Sequence, residues 1–146
     1  MILKDPAATE AVGYAIASAL KIGDVITLSG TLGAGKSCLA RGILRGLGVS
    51  SDVPSPTFPI VVTYDPPDAR LPVNHVDLYR LKSAEEAYEL ALDEILEDGA
   101  LIVEWPEVLG GDYWPEALHI SLKEQPDGQR FLTADVPPSW KDRWPF

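Results

Sequence analysis

Gly30-Thr31-Leu32-Gly33-Ala34-Gly35-Lys36-Ser37 has the spacing G-x-x-x-x-G-K-[ST], which suits a loop that grips a polyphosphate. Gly30 and Gly35 admit backbone angles and close approaches that a Cβ would block. The loop can then turn its N–H groups inward and form a concave anion site at a helix N-terminus. Lys36 would reach the β- and γ-phosphates as a point charge, and Ser37 would offer its hydroxyl to Mg²⁺. Two carboxylates elsewhere could supply the remaining chemistry. Glu104 closes the small and apolar run Gly99-Ala100-Leu101-Ile102-Val103, the way a buried parallel strand delivers an acid to the ligand edge of an α/β sheet. Such an acid completes a Mg²⁺ shell, directly or through water. Asp77 ends a second apolar stretch, Pro72-Val73-Asn74-His75-Val76-Asp77-Leu78-Tyr79, with Val73, His75 and Asp77 on one face at period two. Burying Asp77 without a cation or donors is expensive, which favours a catalytic or metal-linked role; a lone strand histidine such as His75 is more often structural.

These residues need elements to hold them. Val25-Ile26-Thr27-Leu28-Ser29 reads as a buried strand before the loop. Leu39, Ile43, Leu44 and Leu47 follow at helical spacing, and Gly48 supplies a stop. Asp5-Pro6 is an N-cap with proline at the first helical position, opening a helix expected to end near Gly23-Asp24. Residues 49–59, rich in prolines and turn formers, form a loop in which Thr57 is either a nucleotide-sensing hydroxyl or part of a rigid connector. Residues 60–64 and 72–79 read as strands around a turn at 65–70. Ser83 with Glu86 has capping-box spacing for a helix through Tyr88, Leu90, Ala91 and Leu92. Residues 117–122 and 130–136 alternate around a turn at Gln125-Pro126-Asp127-Gly128. An aromatic tail, with Trp140, Trp144 and Phe146, is expected to fold back or to form a contact surface. The expected fold is α/β. It is one P-loop NTPase-like domain over residues 1–146, with a mixed, mostly parallel sheet flanked by helices and a C-terminal antiparallel hairpin.

Composition narrows the function. A chain of 146 residues, 46% hydrophobic and 23% charged, is an ordinary globular domain. Its net charge of −10 argues against an extensive direct nucleic-acid surface. No run approaches a membrane span, and the N-terminal residues lack a signal-peptide pattern. The single cysteine, Cys38, excludes an internal disulfide framework, suits a reducing compartment and reads as a packing residue. Cytoplasmic location is the expectation.

Four blocks together resemble the TsaE (YjeE) family of tRNA threonylcarbamoyladenosine biosynthesis: residues 30–37, Ser55-Pro56-Thr57-Phe58, His75-Val76-Asp77-Leu78-Tyr79-Arg80 and Val103-Glu104-Trp105-Pro106. The resemblance implies an ATPase that uses ATP and Mg²⁺ and works with the TsaD and TsaB proteins, meeting tRNA indirectly through that complex. It implies nucleotide contacts at Thr31, Leu32, Gly33, Ala34, Gly35, Lys36, Ser37, Cys38 and Trp105, and a metal held by Ser37 and Glu104. Asp77 would place the attacking water, with Lys36 on phosphate and Thr57 in a switch-like loop. Trp105 either walls the nucleotide site or packs in the core. Thr31 stands where the family usually has aspartate, Ser37 where threonine is frequent, and Pro59 where threonine is common; none removes a group the chemistry requires. A small P-loop kinase and a nucleotide-dependent switch subunit without essential hydrolysis are the alternatives.

Overall fold

The computed structural model describes residues 1–31, 33–50, 61–83, 85–86, 90–110 and 113–146. Leu32 and the 51–60 segment with Thr57 lie outside the described residues. In chain order the elements are β1 (Ile2–Leu3), α1 (Pro6–Ala17), β2 (Val25–Ser29), α2 (Lys36–Gly46), β3 (Val61–Tyr64) and β4 (Val73–Asp77). Then come α3 (Leu92–Ile95), β5 (Ala100–Glu104), β6 (Leu118–Glu124) and β7 (Arg130–Asp135), with 3-10 turns at Pro106–Leu109 and Pro138–Trp140.

The strands form one sheet in the order β1-β7-β6-β2-β5-β4-β3. The four central strands β6, β2, β5 and β4 run parallel, and antiparallel pairings finish both sides. This is the expected mixed α/β domain, with the 118–135 hairpin where the alternating patterns placed it. β1 was not signalled, because two residues carry no periodicity; they pair Ile2 with Phe131 and Leu3 with Arg130.

Alternation sorts the central strands between two apolar layers. Ile26, Leu28, Ala100 and Ile102 pack with α1 and α2, whereas Val25, Leu101 and Val103 pack with Leu92, Trp114 and Ala117 on the other face. Residues two apart share a face, so His75 and Asp77 lie with Val73, and Glu104 with Ile102, on the α2 side. α1 and α2 sit close against each other. A Cβ at Gly42 would collide with the Glu10 carbonyl, and one at Gly13 would come within 2.5 Å of the Leu39 oxygen.

Helix ends follow their caps. Asp5 accepts from the Ala8 N–H at 2.8 Å and starts α1 where expected. α1 stops at Ala17, well before Gly23, and two distant arginines reach the carbonyls at and just past its end. Arg70 donates to Ala17 at 2.8 Å and Leu20 at 3.0 Å, and Arg143 donates to Ala19 at 2.7 Å. α2 ends in a Schellman motif, with Gly48 N–H on the Arg45 carbonyl at 3.0 Å and Val49 N–H on Leu44 at 3.1 Å.

The acidic segment departs from its expected single helix. The Glu86 carboxylate reaches the Lys82 N–H at 2.8 Å, one residue earlier than a cap at Ser83 requires. Ala91 sits at φ 53°, so a helix cannot pass through it, and α3 starts afresh at Leu92. The tail folds back: Trp140 is buried, and Arg143 lies 4.2 Å over its ring while pairing with Asp24 at 2.6 Å. Among the described residues no helix is long and apolar enough to cross a membrane.

Candidate functional site

The loop between β2 and α2 takes the backbone path its glycines allow. Gly30 has φ 148°, and a Cβ there would lie 2.5 Å from the Leu122 carbonyl oxygen of β6. Gly35 is the N-cap of α2 at φ 104°, with no side-chain cap. The first-turn N–H groups of α2 at Lys36, Ser37 and Cys38 thus open the helix as an anion-favouring start, with a glycine at the N-cap that offers no side-chain oxygen of its own. Lys36 is buried. Its Nζ donates to the carbonyls of Gly30 and, at 3.0 Å, Thr31, and lies 4.2 Å from the centre of the Trp105 ring. Burial lowers the Lys36 pKa, and the carboxylates of Glu104, Asp77 and Glu107 oppose that shift.

The facing wall comes from strand register. β4 and β5 pair so that Asp77 stands beside Glu104, and Leu28 of β2 stands on the other side of Glu104. Three parallel strands therefore end together in front of the loop, the ligand edge of an open α/β sheet. Glu104 is buried and divides its oxygens between two partners. Oε2 bridges to His75 Nε2 at 2.6 Å, and Oε1 accepts from the Ser37 hydroxyl at 3.4 Å. Contact with a carboxylate assigns the shared proton to Nε2, and Nδ1 is buried with no partner among the described residues. A ring lone pair left unpaired is tolerated more easily than an N–H would be.

Asp77 Oδ1 accepts from the Tyr79 N–H at 2.9 Å. Burial raises the Asp77 pKa above 3.8 and Glu104 adds to the rise, while the Tyr79 N–H, His75 and Lys36 work the other way. Asp77 therefore has one anchored oxygen and a strengthened hold on protons. That is what a water-orienting carboxylate needs.

Trp105 turns the chain out of β5. It adopts φ 61° and ψ 50°, a conformation that costs a non-glycine residue about 1–3 kcal/mol. Its N–H reaches the Leu28 carbonyl at 3.2 Å, and its ring meets Tyr79 at 4.8 Å and Lys36 at 4.2 Å. The aromatic ring lies at the mouth of the site, half-buried, and the residue also packs against the second apolar layer.

Gly33, Gly35, Lys36, Ser37, Cys38, Asp77, Tyr79, Arg80, Glu104 and Trp105 line one open cleft of about 460 Å³. Of the residues expected from sequence, Lys36, Ser37, Asp77, Glu104 and Trp105 thus meet around one space. Thr31 contributes a carbonyl to Lys36. Ala34 turns its side chain into the core, and its N–H donates to the Thr31 carbonyl at 3.1 Å. Cys38 donates to the Pro6 carbonyl at 3.2 Å, and burial raises its thiol pKa, which fits packing over nucleophilic chemistry. Among the described residues no three His, Cys, Asp or Glu side chains converge to hold a metal. The hydroxyl of Ser37 beside a glutamate suits Mg²⁺, which takes one or two protein oxygens and completes its shell with water and phosphate. Sequence reasoning gave His75 a structural role and passed over the contact of Arg130 with the Gly33 carbonyl, at 2.9 Å. The only signal for the first was its shared face with Asp77; for the second there was none.

The model of the family described as threonylcarbamoyl adenosine biosynthesis protein TsaE matches residues 3–132. The chain belongs to the TsaE family. It is 38% identical over 130 residues to the tRNA threonylcarbamoyladenosine biosynthesis protein TsaE of Bacillus subtilis, covering 88% of this chain and 80% of that one. It is 41% identical over 111 residues to the TsaE protein of a Synechocystis strain, covering 73% and 69%. The crystal structure of Bacillus subtilis YdiB superposes with a TM-score of 0.82 at 32% identity, over 99% of this chain and 88% of that one. Membership places this chain in threonylcarbamoyladenosine biosynthesis and confirms the resemblance of its four sequence blocks.

Proposed function

We propose that this TsaE-family chain binds ATP with Mg²⁺ and hydrolyses it in the cytoplasm. The hydrolysis serves formation of threonylcarbamoyladenosine at position 37 of tRNAs that read ANN codons. The chain acts with TsaD and TsaB and resets that complex between rounds of modification. The observation that carries the chemical part is the convergence of Lys36, Ser37, Asp77 and Glu104 on one cleft, with Ser37 and Glu104 in hydrogen-bond contact at 3.4 Å.

Phosphoryl transfer to water asks for positioning and charge neutralisation more than covalent chemistry. The N–H groups opening α2 and the Lys36 ammonium face the phosphates and take up negative charge. Ser37 and Glu104 would hold Mg²⁺, which when bound supplies further neutralisation of the phosphate oxygens. His75 fixes the Glu104 carboxylate through Oε2 and leaves Oε1 directed at Ser37. Asp77, pinned by the Tyr79 N–H, uses its other oxygen to orient the attacking water and accept its proton. A partner completes the water side of this site, on this reading, so the isolated chain hydrolyses ATP slowly.

The test is a mixture of the protein with TsaD, TsaB and ATP, read as multiple-turnover tRNA modification and as phosphate release. The proposal expects modification to stop on Lys36→Ala and hydrolysis to be several-fold faster in the mixture than in isolation. Equal ATP turnover with and without partners would refute the partner-completed site. Full modification by a hydrolysis-dead protein would instead make the chain a nucleotide-dependent switch.

A further inference from the structure

The β6–β7 hairpin touches the phosphate loop at all three of its glycines. The Leu122 carbonyl lies against Gly30, Leu122 Cδ1 and Arg130 Nε each lie 3.8 Å from where a Cβ on Gly35 would be, and Arg130 reaches Gly33. Arg130 is the first residue of β7, opposite Glu124 in β6 and Leu3 in β1. Its guanidinium forks. Nη2 donates to the Gly33 carbonyl at 2.9 Å, Nη1 donates to the Gly128 carbonyl of the hairpin turn at 2.7 Å, and Nη1 pairs with Glu124 at 3.4 Å.

Gly33 needs that support. It is exposed at the crest of the loop with φ 79°, and none of the described residues lies within 4 Å of where its Cβ would be. Local structure fixes the neighbouring peptide, through the Ala34 N–H on Thr31, but among the described residues the Gly33 carbonyl has no helix or strand partner. We infer that Arg130 is a positioning residue for the phosphate loop. It holds the Gly33 carbonyl toward the hairpin, sets the peptide plane ahead of Gly35, and keeps the N–H groups behind it arranged for phosphate before any ligand arrives. Arg130 is not among the described residues that line the cleft, so its action is through the loop backbone. A loop ordered in advance loses less conformational freedom on binding, so the effect is on affinity. This rests on the reading of the loop as a nucleotide site.

The experiment measures ATP and ADP affinity by calorimetry for the full chain and for Arg130→Ala, Arg130→Lys and Glu124→Gln, with the unfolding midpoint of each nucleotide-free protein. Arg130→Ala is expected to raise the Kd for ATP about tenfold, and for ADP by the same factor, because the loop holds phosphates common to both. Arg130→Lys should fall between, since an ammonium does not reproduce a planar fork on two carbonyls. Glu124→Gln, which removes only the ion pair, should bind within twofold of the parent. A purely structural role would lower the nucleotide-free midpoint and leave the affinity of the folded protein intact. Should Arg130→Ala not fold, Arg130→Lys decides by the same criterion. Parent-like affinity in the arginine variants overturns this inference and leaves the nucleotide site standing, whereas a parent that binds neither nucleotide overturns both.

Discussion

The two walls of the cleft are built on opposite plans. One is local: a single stretch from Gly30 to Ser37 that presents backbone N–H groups and one ammonium. The other is assembled from a distance. His75 meets Glu104 from 29 residues away, and Ser37 meets Glu104 from 67 residues away. The local wall offers donors and a positive charge, the chemistry a polyphosphate would need. The assembled wall buries carboxylates side by side, a costly arrangement that only a cation or a reaction would reward. Under the proposed function, affinity falls to the first wall and chemistry to the second. Substitutions on the two walls should therefore fail in different ways.

Lys36→Ala attacks the local wall and has the largest expected effect. Calorimetry with ATP should show a Kd raised about 100-fold or more, corresponding to about 2.7 kcal/mol. Retention of parent affinity would break the comparison at its first term. His75→Ala attacks the assembled wall through a residue that the proposed ligands would not touch. It should raise the magnesium concentration needed for half-maximal hydrolysis by about tenfold. Metal-free ATP binding should stay within threefold of the parent. A loss confined to metal-free binding would place His75 with the other wall.

The smallest effect concerns pH. The folded protein binds the Asp77 proton more tightly than the unfolded chain, whose carboxyl titrates near 3.8, because burial and Glu104 disfavour the charge. The ionised group therefore costs stability at neutral pH, and the cost vanishes as pH falls through the raised folded value toward 3.8. Without nucleotide or metal, Asp77→Asn should unfold at a higher temperature than the parent at pH 7. The gap should close on acidification. A gap that widens toward acid would mean that Asp77 is held by its cationic neighbours and not strained by burial.

How far these walls could be read from the chain follows the same division. The loop was legible because its residues are contiguous and each has a fixed task. Asp77 and Glu104 were legible as acids at the ends of apolar strands, an uncomfortable place for charge. Their adjacency was not, because it depends on β5 lying between β2 and β4 in a particular register. His75 looked structural because nothing in its own segment names Glu104. The arginines that meet the chain at and past the end of α1, Arg70 and Arg143, come from distant segments, and the turn at Trp105 rests on a left-handed conformation that tryptophan does not prefer. The bracing of Gly33 by Arg130 joins residues 97 apart and has no trace in spacing. Local chemistry reads directly, and pairings set by strand order do not.

The division itself is tested most directly with Asp77→Asn. ATP affinity and single-turnover hydrolysis should be measured on the same preparation, in the presence of TsaD, TsaB and magnesium. The account predicts a Kd within threefold of the parent and hydrolysis slower by about 10²-fold or more. Parent-like hydrolysis, or an affinity that collapses together with the rate, would contradict it.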